Sequence, residues 1–278
     1  LAERRARWEA QEWEKLVVKA KKKAAQARRK AQGQPTRLSD IPEAEWQAIP
    51  EAKYQRYLPK NDKWKARYKE PAALDTANLP PLPDNWVWAT VEMVAEHRLG
   101  KMLDKAKNKG DLRPYLRNIN VRWFEFDLSD IQEIRVTDDE LENVSVKNGD
   151  LVVCEGGEPG RCAVWKRPEK IIIQKALHRV RLPPQIIPDF LSYCLAADAT
   201  SGRLEKYFTG STIKHFTGQS LRSYIFPLPP LAEQERIVAE VERRLAAARR
   251  LEETVAANLR RLARLRQAIL KAAFAGEL

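Results

Sequence analysis

The sequence predicts an α+β chain: a mixed α/β domain attached to a long coiled-coil helix, preceded by a helix and a proline-rich connector. Three observations carry this reading. Residues 1–32 contain no Gly or Pro. Residues 84–228 hold short alternating or apolar runs separated by turn signals. After Pro227-Leu-Pro-Pro230, an uninterrupted helical run extends to about Ala273.

Residues 1–32 are rich in strong helix formers and read as one helix. The second half is Lys/Ala/Arg-rich with little apolar stripe, so it is expected to fray or to lie against a polyanion. Residues 33–83 carry Pro35, Pro42, Pro50, Pro59, Pro71, Pro80, Pro81 and Pro83. That density forbids long helices and describes an extended connector, with Trp46, Tyr54, Tyr57, Trp64 and Tyr68 pinning it to a surface.

In residues 84–228, Ile119, Val121 and Trp123 alternate with polar residues. Asp150-Leu-Val-Val-Cys154 follows a turn at Asn148-Gly149, and Cys162-Ala-Val-Trp165 follows the glycines at 156, 157 and 160, which suit a hairpin turn. Residues 171–182 are strand-like, Pro188 opens a helix over 189–197, and Gly202 separates it from a second short one. Five or more strands are expected. In residues 229–278, apolar residues fall at Val241, Leu245, Ala248, Leu251, Val255, Leu259, Leu262, Leu265 and Ile269. Their mean step of 3.5 residues is a coiled-coil seam rather than the 3.6 of a lone helix. About 40 residues at 1.5 Å each make a rod of roughly 60 Å, and its seam needs a partner helix from residues 1–32 or a second copy.

The chain has 278 residues and a formal charge of +12. Residues 1–32 contribute +7, residues 84–228 only +1 and residues 229–278 +3. The excess therefore sits in the N-terminal helix, where DNA or an acidic partner suits it, and not in one basic surface of the body. The body is polarised instead. Residues 98–122 carry Arg98, Lys101, Lys105, Lys107, Lys109, Arg113, Arg117 and Arg122; residues 125–142 carry eight acids against Arg135; residues 161–181 return to seven cations. Such blocks either orient a phosphate backbone or neutralise one another.

No run of 18 apolar residues occurs, which excludes a membrane-spanning helix. Cys154, Cys162 and Cys194 form no CxxC spacing, so a disulfide framework and a zinc ribbon are not expected, and a cytoplasmic setting is. Neither a phosphate loop, a methyltransferase Asn-Pro-Pro-aromatic motif nor a nucleophile elbow occurs. His97, His178 and His215 share no metal-ligand spacing. Asp40, Glu51 and Lys53 mimic a nuclease spacing, but in the proline-rich segment no strand hairpin holds them about a metal.

Phe226-Pro-Leu-Pro-Pro-Leu-Ala-Glu-Gln-Glu-Arg-Ile-Val238 and Leu265-Arg-Gln-Ala-Ile-Leu-Lys-Ala-Ala-Phe-Ala-Gly-Glu-Leu278 resemble the phrases that open and close the conserved helix of type I restriction–modification specificity subunits. Weaker matches fall in the family's order: Leu82-Pro-Asp-Asn-Trp86, Tyr115-Leu-Arg-Asn-Ile119, Lys147-Asn-Gly-Asp150, Gly157-Glu-Pro-Gly-Arg161 and Gly210-Ser-Thr-Ile-Lys-His-Phe216. The resemblance covers residues 82–278, and residues 1–8 look like the exit from a preceding conserved helix. It implies the C-terminal half of such a subunit: residues 1–32 as the end of a helical region, 33–83 as connector, 84–228 as target recognition domain, and 229–278 as spacer and methyltransferase-docking helix. Either an N-terminal half accompanies it or a half-length subunit dimerises.

The resemblance further implies a chain without an active site or cofactor. It would read one half of a bipartite site in double-stranded DNA within a complex of adenine methyltransferase and endonuclease activity. That complex binds methyltransferase and restriction/translocase subunits and uses S-adenosylmethionine, with ATP and Mg for restriction. The same sequence would fit a specificity subunit or domain of a related type II enzyme. From a different class, a coiled-coil scaffold without sequence-specific DNA binding is the alternative.

Base contacts need paired donors and acceptors on loops or strand ends. The candidates are Arg98, Lys101, Arg113, Tyr115, Arg117 and Asn118; then Gln174, His178 and Arg179; then Tyr207, Thr209, Ser211, Thr212, Lys214 and His215. Against this, Arg117 and Arg179 can pair with the acidic block, and His178 shares a face with Ala176 and Val180, as a core histidine does.

Overall fold

The structure, a computed structural model, describes residues 1–104, 106 and 108–276; Lys105, Lys107, Glu277 and Leu278 lie outside the described residues. It divides into two units, Leu1–Asp75 and Thr76–Leu278. No helix among the described residues is long and apolar enough to cross a membrane.

In the first unit, α1 (Ala2–Ala31) is the expected helix, but its second half does not fray. Ala24 and Ala25 are buried against Ile41 and Ile49, with Trp46, Tyr54 and Tyr57 packed around them; Ala20 is buried as well. The proline-rich segment is therefore folded back on α1 rather than extended. Its prolines start short helices, because a fixed φ suits the first turn and not a long run. Pro42 precedes α2 (Glu43–Gln47) and Pro50 precedes α3 (Glu51–Tyr54). Asn61 caps the 3-10 turn Asp62–Arg67, its side chain accepting from the Lys63 amide at 3.2 Å. Trp64 of that turn meets Trp8 and Trp13 of α1 at ring-centroid distances of 6.2 and 5.6 Å. The expected boundary at residue 32 thus falls inside one compact unit, whose chain continues to Asp75.

The second unit opens with β1 (Val87–Thr90), α4 (Val91–Val94), β2 (Glu96–Leu99) and β3 (Asp111–Leu116). There follow β4 (Val121–Arg122), β5 (Glu125–Phe126), β6 (Gln132–Val136), α5 (Asp138–Val144) and β7 (Ser145–Val146). β8 (Leu151–Cys154) and β9 (Cys162–Val164) form the expected glycine-turn hairpin. The run at 171–182 breaks into β10 (Ile171–Ile173) and β11 (Leu177–Arg181), and α6 (Pro188–Thr200), α7 (Gly218–Ser223), β12 (Ile225–Leu228) and α8 (Leu231–Phe274) complete the unit. Residues 119–123 are not one strand: a 3-10 turn, Asn118–Asn120, precedes the two-residue β4, because the Asn120 side chain accepts from the Arg117 amide at 2.9 Å and turns the chain.

Two four-stranded sheets, ordered β6-β3-β10-β7 and β2-β11-β8-β9, share the β10–β11 turn, and β12 pairs with β1. Among the strands of the described residues, β10 and β3 are the parallel pair. β8 is buried along its whole length, which explains its unbroken apolar sequence. Its Leu151 and Val153 face a core shared with Phe190, Leu191 and Leu195 of α6 and with Tyr224 and Phe226, against which Ile237 and Val238 at the base of α8 pack. Val152 and Cys154 face a second core with Trp165, Leu116 and Ile173.

Gly100 ends β2 where backbones approach closely. A Cβ there would lie 2.3 Å from the carbonyl oxygens of Ile173 and Gln174. Gly100→Ala must push these strands apart, and it should cost about 2 kcal/mol or more. The expected readout is a lower urea midpoint at unchanged slope; unfolding at the wild-type midpoint would show that the end of β2 is free to move.

Candidate nucleic-acid interface

The ends of the strands converge at the β10–β11 turn. Lys101 N donates to Ile173 O at 2.7 Å, Lys175 N to Lys101 O at 2.8 Å, and Gln174 N to Leu116 O at 3.0 Å. Glu155 N donates to Ala176 O at 2.9 Å, and Phe216 N to Glu155 O at 2.7 Å. Five segments therefore meet on one edge: residues 100–102, 117–120, 155–161, 174–176 and 209–216. The last is a small loop closed by reciprocal 2.9 Å hydrogen bonds between Thr209 and His215. Gly210 at φ +92° makes its turn, since a Cβ would sit 2.2 Å from Ile213 O.

This edge gathers part of the expected set. Thr209, Ser211, Thr212, Lys214 and His215 are exposed on the loop. Asn118 and Gln174 are half-buried, and their side-chain amides make no hydrogen bond among the described residues. Gly157 lies directly over Asn118, where a Cβ would come within 2.9 Å of Nδ2.

The other candidates are spent inside the protein. Tyr115 is buried, and its hydroxyl bonds Gln132 Oε1 at 3.2 Å. Arg179 is buried between strands and donates to Glu142 O and Ser145 O at 2.8 Å and to Glu96 Oε1 at 2.9 Å. Tyr207 accepts from the Ile225 amide at 3.1 Å and packs its ring against Tyr224. Lys101 pairs with Glu140, Arg113 with Asp138, Arg117 with Asp130, and Arg98, exposed on β2, with Glu96. These four cations carry carboxylate partners in this structure, while the buried Tyr115 and Arg179 and the internally bonded Tyr207 are not placed to read bases.

His178 is fully buried and makes a relay. Its Nε2 lies 3.0 Å from Phe216 O, which can only accept, so Nε2 carries the proton. Its Nδ1 then accepts from His97 Nε2 at 3.0 Å. The pair ties β2 and β11 to the root of the 209–216 loop. Burial, together with Arg222 nearby, pushes the pKa of His97 down to about 3 and that of His178 to about 4. His178 is thus a core histidine that positions the loop.

Among the described residues, the acidic block neutralises most of the first basic block, while the third is matched mainly by acids outside it. Besides the pairs above, Arg122 meets Asp127 at 3.4 Å. In the third block, Arg161 meets Glu158, Lys166 Asp189, Arg167 Glu169, Lys170 Glu142, and Arg181 Asp150. Among the described residues, Lys175 alone in that block has no carboxylate. The sequence reading missed it because residues 171–182 looked like one strand; the polar Gln174-Lys175 step after the Ile171-Ile-Ile173 run was the available sign of a turn. Ile213, two-thirds exposed at the loop tip, was missed as well. Among the described residues, no group of His, Cys, Asp and Glu could hold a metal ion.

On α8, Val241 and Leu245 are half-buried, and Ala248, Leu251, Val255, Leu259, Leu262, Leu265 and Ile269 are exposed. The base of the helix is fixed by buried Gln234, which accepts from the Ile187 amide at 2.9 Å and donates to Pro229 O at 2.9 Å. Glu233 accepts from Trp86 Nε1 at 2.9 Å.

What the fold and this edge define is a module that holds polar loops rigidly beside a long helix. Residues 83–259 match the type I restriction modification DNA specificity domain, and the chain belongs to that family. It is 29% identical over 181 residues to the type I restriction enzyme EcoKI specificity subunit of Escherichia coli strain K12, covering 63% of this chain and 39% of the relative. It is 30% identical over 165 residues to the Escherichia coli EcoBI specificity subunit, covering 59% and 35%. The chain thus spans well under half the length of either relative. The fold is similar to a chain of a type I restriction–modification system (TM-score 0.56, 23% identity, 73% of this chain and 49% of that one). It is also similar to the HsdS subunit from Thermoanaerobacter tengcongensis (0.50, 23%, 72% and 48%).

The histidine relay sets a pH dependence. Both imidazoles are neutral when folded and take up protons near 6.5 when unfolded, so the unfolded state binds more protons as pH falls. Their stabilisation is complete above about pH 6.5 and is lost toward pH 4 and then 3. Urea unfolding between about pH 6.5 and 5, above the carboxylate range, should lose stability with a slope approaching two protons, about 2.7 kcal/mol per pH unit. His97→Asn should remove about one proton from that slope; a flat profile would mean that the relay opens to water.

Proposed function

We propose that this chain reads one half of a bipartite site in double-stranded DNA and positions the methyltransferase and restriction subunits of a type I restriction–modification complex on it. The observation that carries the reading is the single edge where Asn118, Gln174, Lys175, Thr212, Lys214 and His215 offer unpaired polar groups on a domain whose other cations are largely neutralised. Neutrality elsewhere limits bulk attraction to phosphate, so binding depends on what the edge can pair with. Amide side chains such as Asn118 and Gln174 match adenine's N6/N7 pattern, and a Thr methyl or Ile213 suits a thymine methyl. The chain itself carries no catalytic step in this reading; S-adenosylmethionine, ATP and Mg would be used by the partner subunits. The exposed α8 seam is where a partner helix docks, from the same subunit's other half or a second copy.

Gel shift on selected against random duplexes tests the edge. Asn118→Ala or Lys214→Ala should each weaken the selected site by about 1–3 kcal/mol and relax its specificity. Equal losses on both duplexes, with a salt slope smaller by about one, would reassign the residue to phosphate.

The seam is tested separately. Leu259→Lys with Leu262→Lys places charge in the helix interface and should abolish co-purification with the partner subunits, leaving thermal melting of the recognition domain unchanged. Retained assembly would mean that α8 docks through another face.

A further inference from the structure

Residues 1–32 hold +7 of the chain's +12 and lie outside the family-matched segment. Seven of the eleven cations of residues 1–32 fall into two groups in the first unit. Lys21 donates to Gln47 O at 3.2 Å, Lys22 lies 4.9 Å over the Trp46 ring, and Arg29 clasps Glu45 at 2.6 Å. These hold the folded-back segment. Lys19, Lys23 and Lys30 are instead exposed, with no hydrogen bond or ion pair among the described residues. Lys15 continues their line and has only an exposed contact to Glu12 at 3.4 Å.

Steps of 4, 4 and 7 residues place Lys15, Lys19, Lys23 and Lys30 on one stripe of α1, about 22 Å long, opposite the buried Ala20, Ala24 and Ala25. Between Lys15 and Lys30 the stripe otherwise holds only Gln26. No acid occurs from residue 15 to residue 39, and the like-charged i,i+4 pairs Lys15/Lys19 and Lys19/Lys23 weaken the helix. A face arranged against its own helix's stability calls for an external anion. Protein interfaces deplete lysine and rely on aromatic and arginine anchors, which this stripe lacks. A phosphodiester backbone needs only positive charge, through counterion release.

We propose that the lysine stripe of α1 is a sequence-independent contact for the phosphate backbone of double-stranded DNA, separate from the recognition edge. It rests on reading the chain as DNA-binding and adds an affinity site to it. Lysine, a hydrated point charge on a flexible stem, suits this use because it attracts phosphate without imposing register.

The test measures binding of the 278-residue chain to a random duplex of about 30 base pairs by fluorescence anisotropy, across about 50–300 mM KCl. Lys15→Gln/Lys19→Gln/Lys23→Gln/Lys30→Gln should lower the slope of log Kobs against log salt by about 0.9 per lost contact, or about 3 to 4 in all. The fourfold Lys→Arg variant should keep the wild-type slope. If the Gln variant loses helical circular dichroism, Lys19→Gln/Lys23→Gln alone carries the test, with an expected drop of about 2. A slope unchanged by neutralisation overturns the proposal; loss of methyltransferase-subunit binding in the same variant would make the stripe a protein contact. Wild-type protein that shows this slope but no preference among duplexes would sink the sequence-reading function and leave the stripe standing.

Discussion

Backbone hydrogen bonds around the β10–β11 turn hold every loop of the candidate interface to its neighbours. The amides of Lys101, Gln174, Lys175, Glu155 and Phe216 each donate to a carbonyl on another segment, so strands of both four-stranded sheets end at one line. Loops anchored in this way lose little further freedom on binding, which lowers the entropic cost of engaging a ligand. Gly100 permits the closest of these approaches, and the His97–His178–Phe216 relay secures the one loop that no long strand anchors. The relay works because its imidazoles stay neutral in a buried site; a charged pair there would repel itself and the neighbouring Arg222.

With the frame fixed, the distribution of charge decides what the edge can discriminate. Nearly every cation of the recognition domain near the edge is matched by a carboxylate, many at 2.5–3.0 Å. Exposed pairs of this kind contribute little to stability. A neutralised surface gives weak attraction to any phosphate and, among the described residues, leaves Lys175 and Lys214 as local exceptions beside uncharged amides and hydroxyls. In the first unit the opposite holds along α1, where lysines stand unmatched on one stripe. Carboxylate-matched and unmatched cations are thus largely segregated between the two units.

How much of this was legible depended on the range of the signal. The α8 seam, the glycine-turn hairpin of β8 and β9 and the helix after Pro188 are local patterns, and they read directly. The folded-back segment did not, because proline density reports only what a chain cannot do; its packing depends on small alanines of α1 spaced to admit Ile41 and Ile49. Pairing of Arg117 and Arg179 with the acidic block is open from the sequence, but which partner Arg113, Arg117 and Arg179 take, 25, 13 and 83 residues away, is a property of the sheets. His178 was weighed as a core residue from its neighbours Ala176 and Val180, and the alternation was the better guide than the residue type. Lys175 is harder to see: a three-residue turn between two buried strands leaves only the Gln174-Lys175 step as its trace.

The remaining constraint runs through α8. Its first turns share a core with α6, β8 and β9, and Gln234 and Glu233 fix its rotation by hydrogen bonds to residues far away in sequence. Beyond Leu245 the seam residues Leu251, Val255, Leu259, Leu262, Leu265 and Ile269 are about half to two-thirds exposed. An exposed apolar stripe of that length marks an interaction face, and a 3.5-residue period suits a partner helix held in fixed register. Because the base of α8 is part of the recognition domain's own core, a partner seated on the seam is held at a fixed distance and rotation from Gln174 and the loop edge. The packing of Ile237 and Val238 against the core that also carries β8 therefore joins the helix to the strands whose ends form that edge.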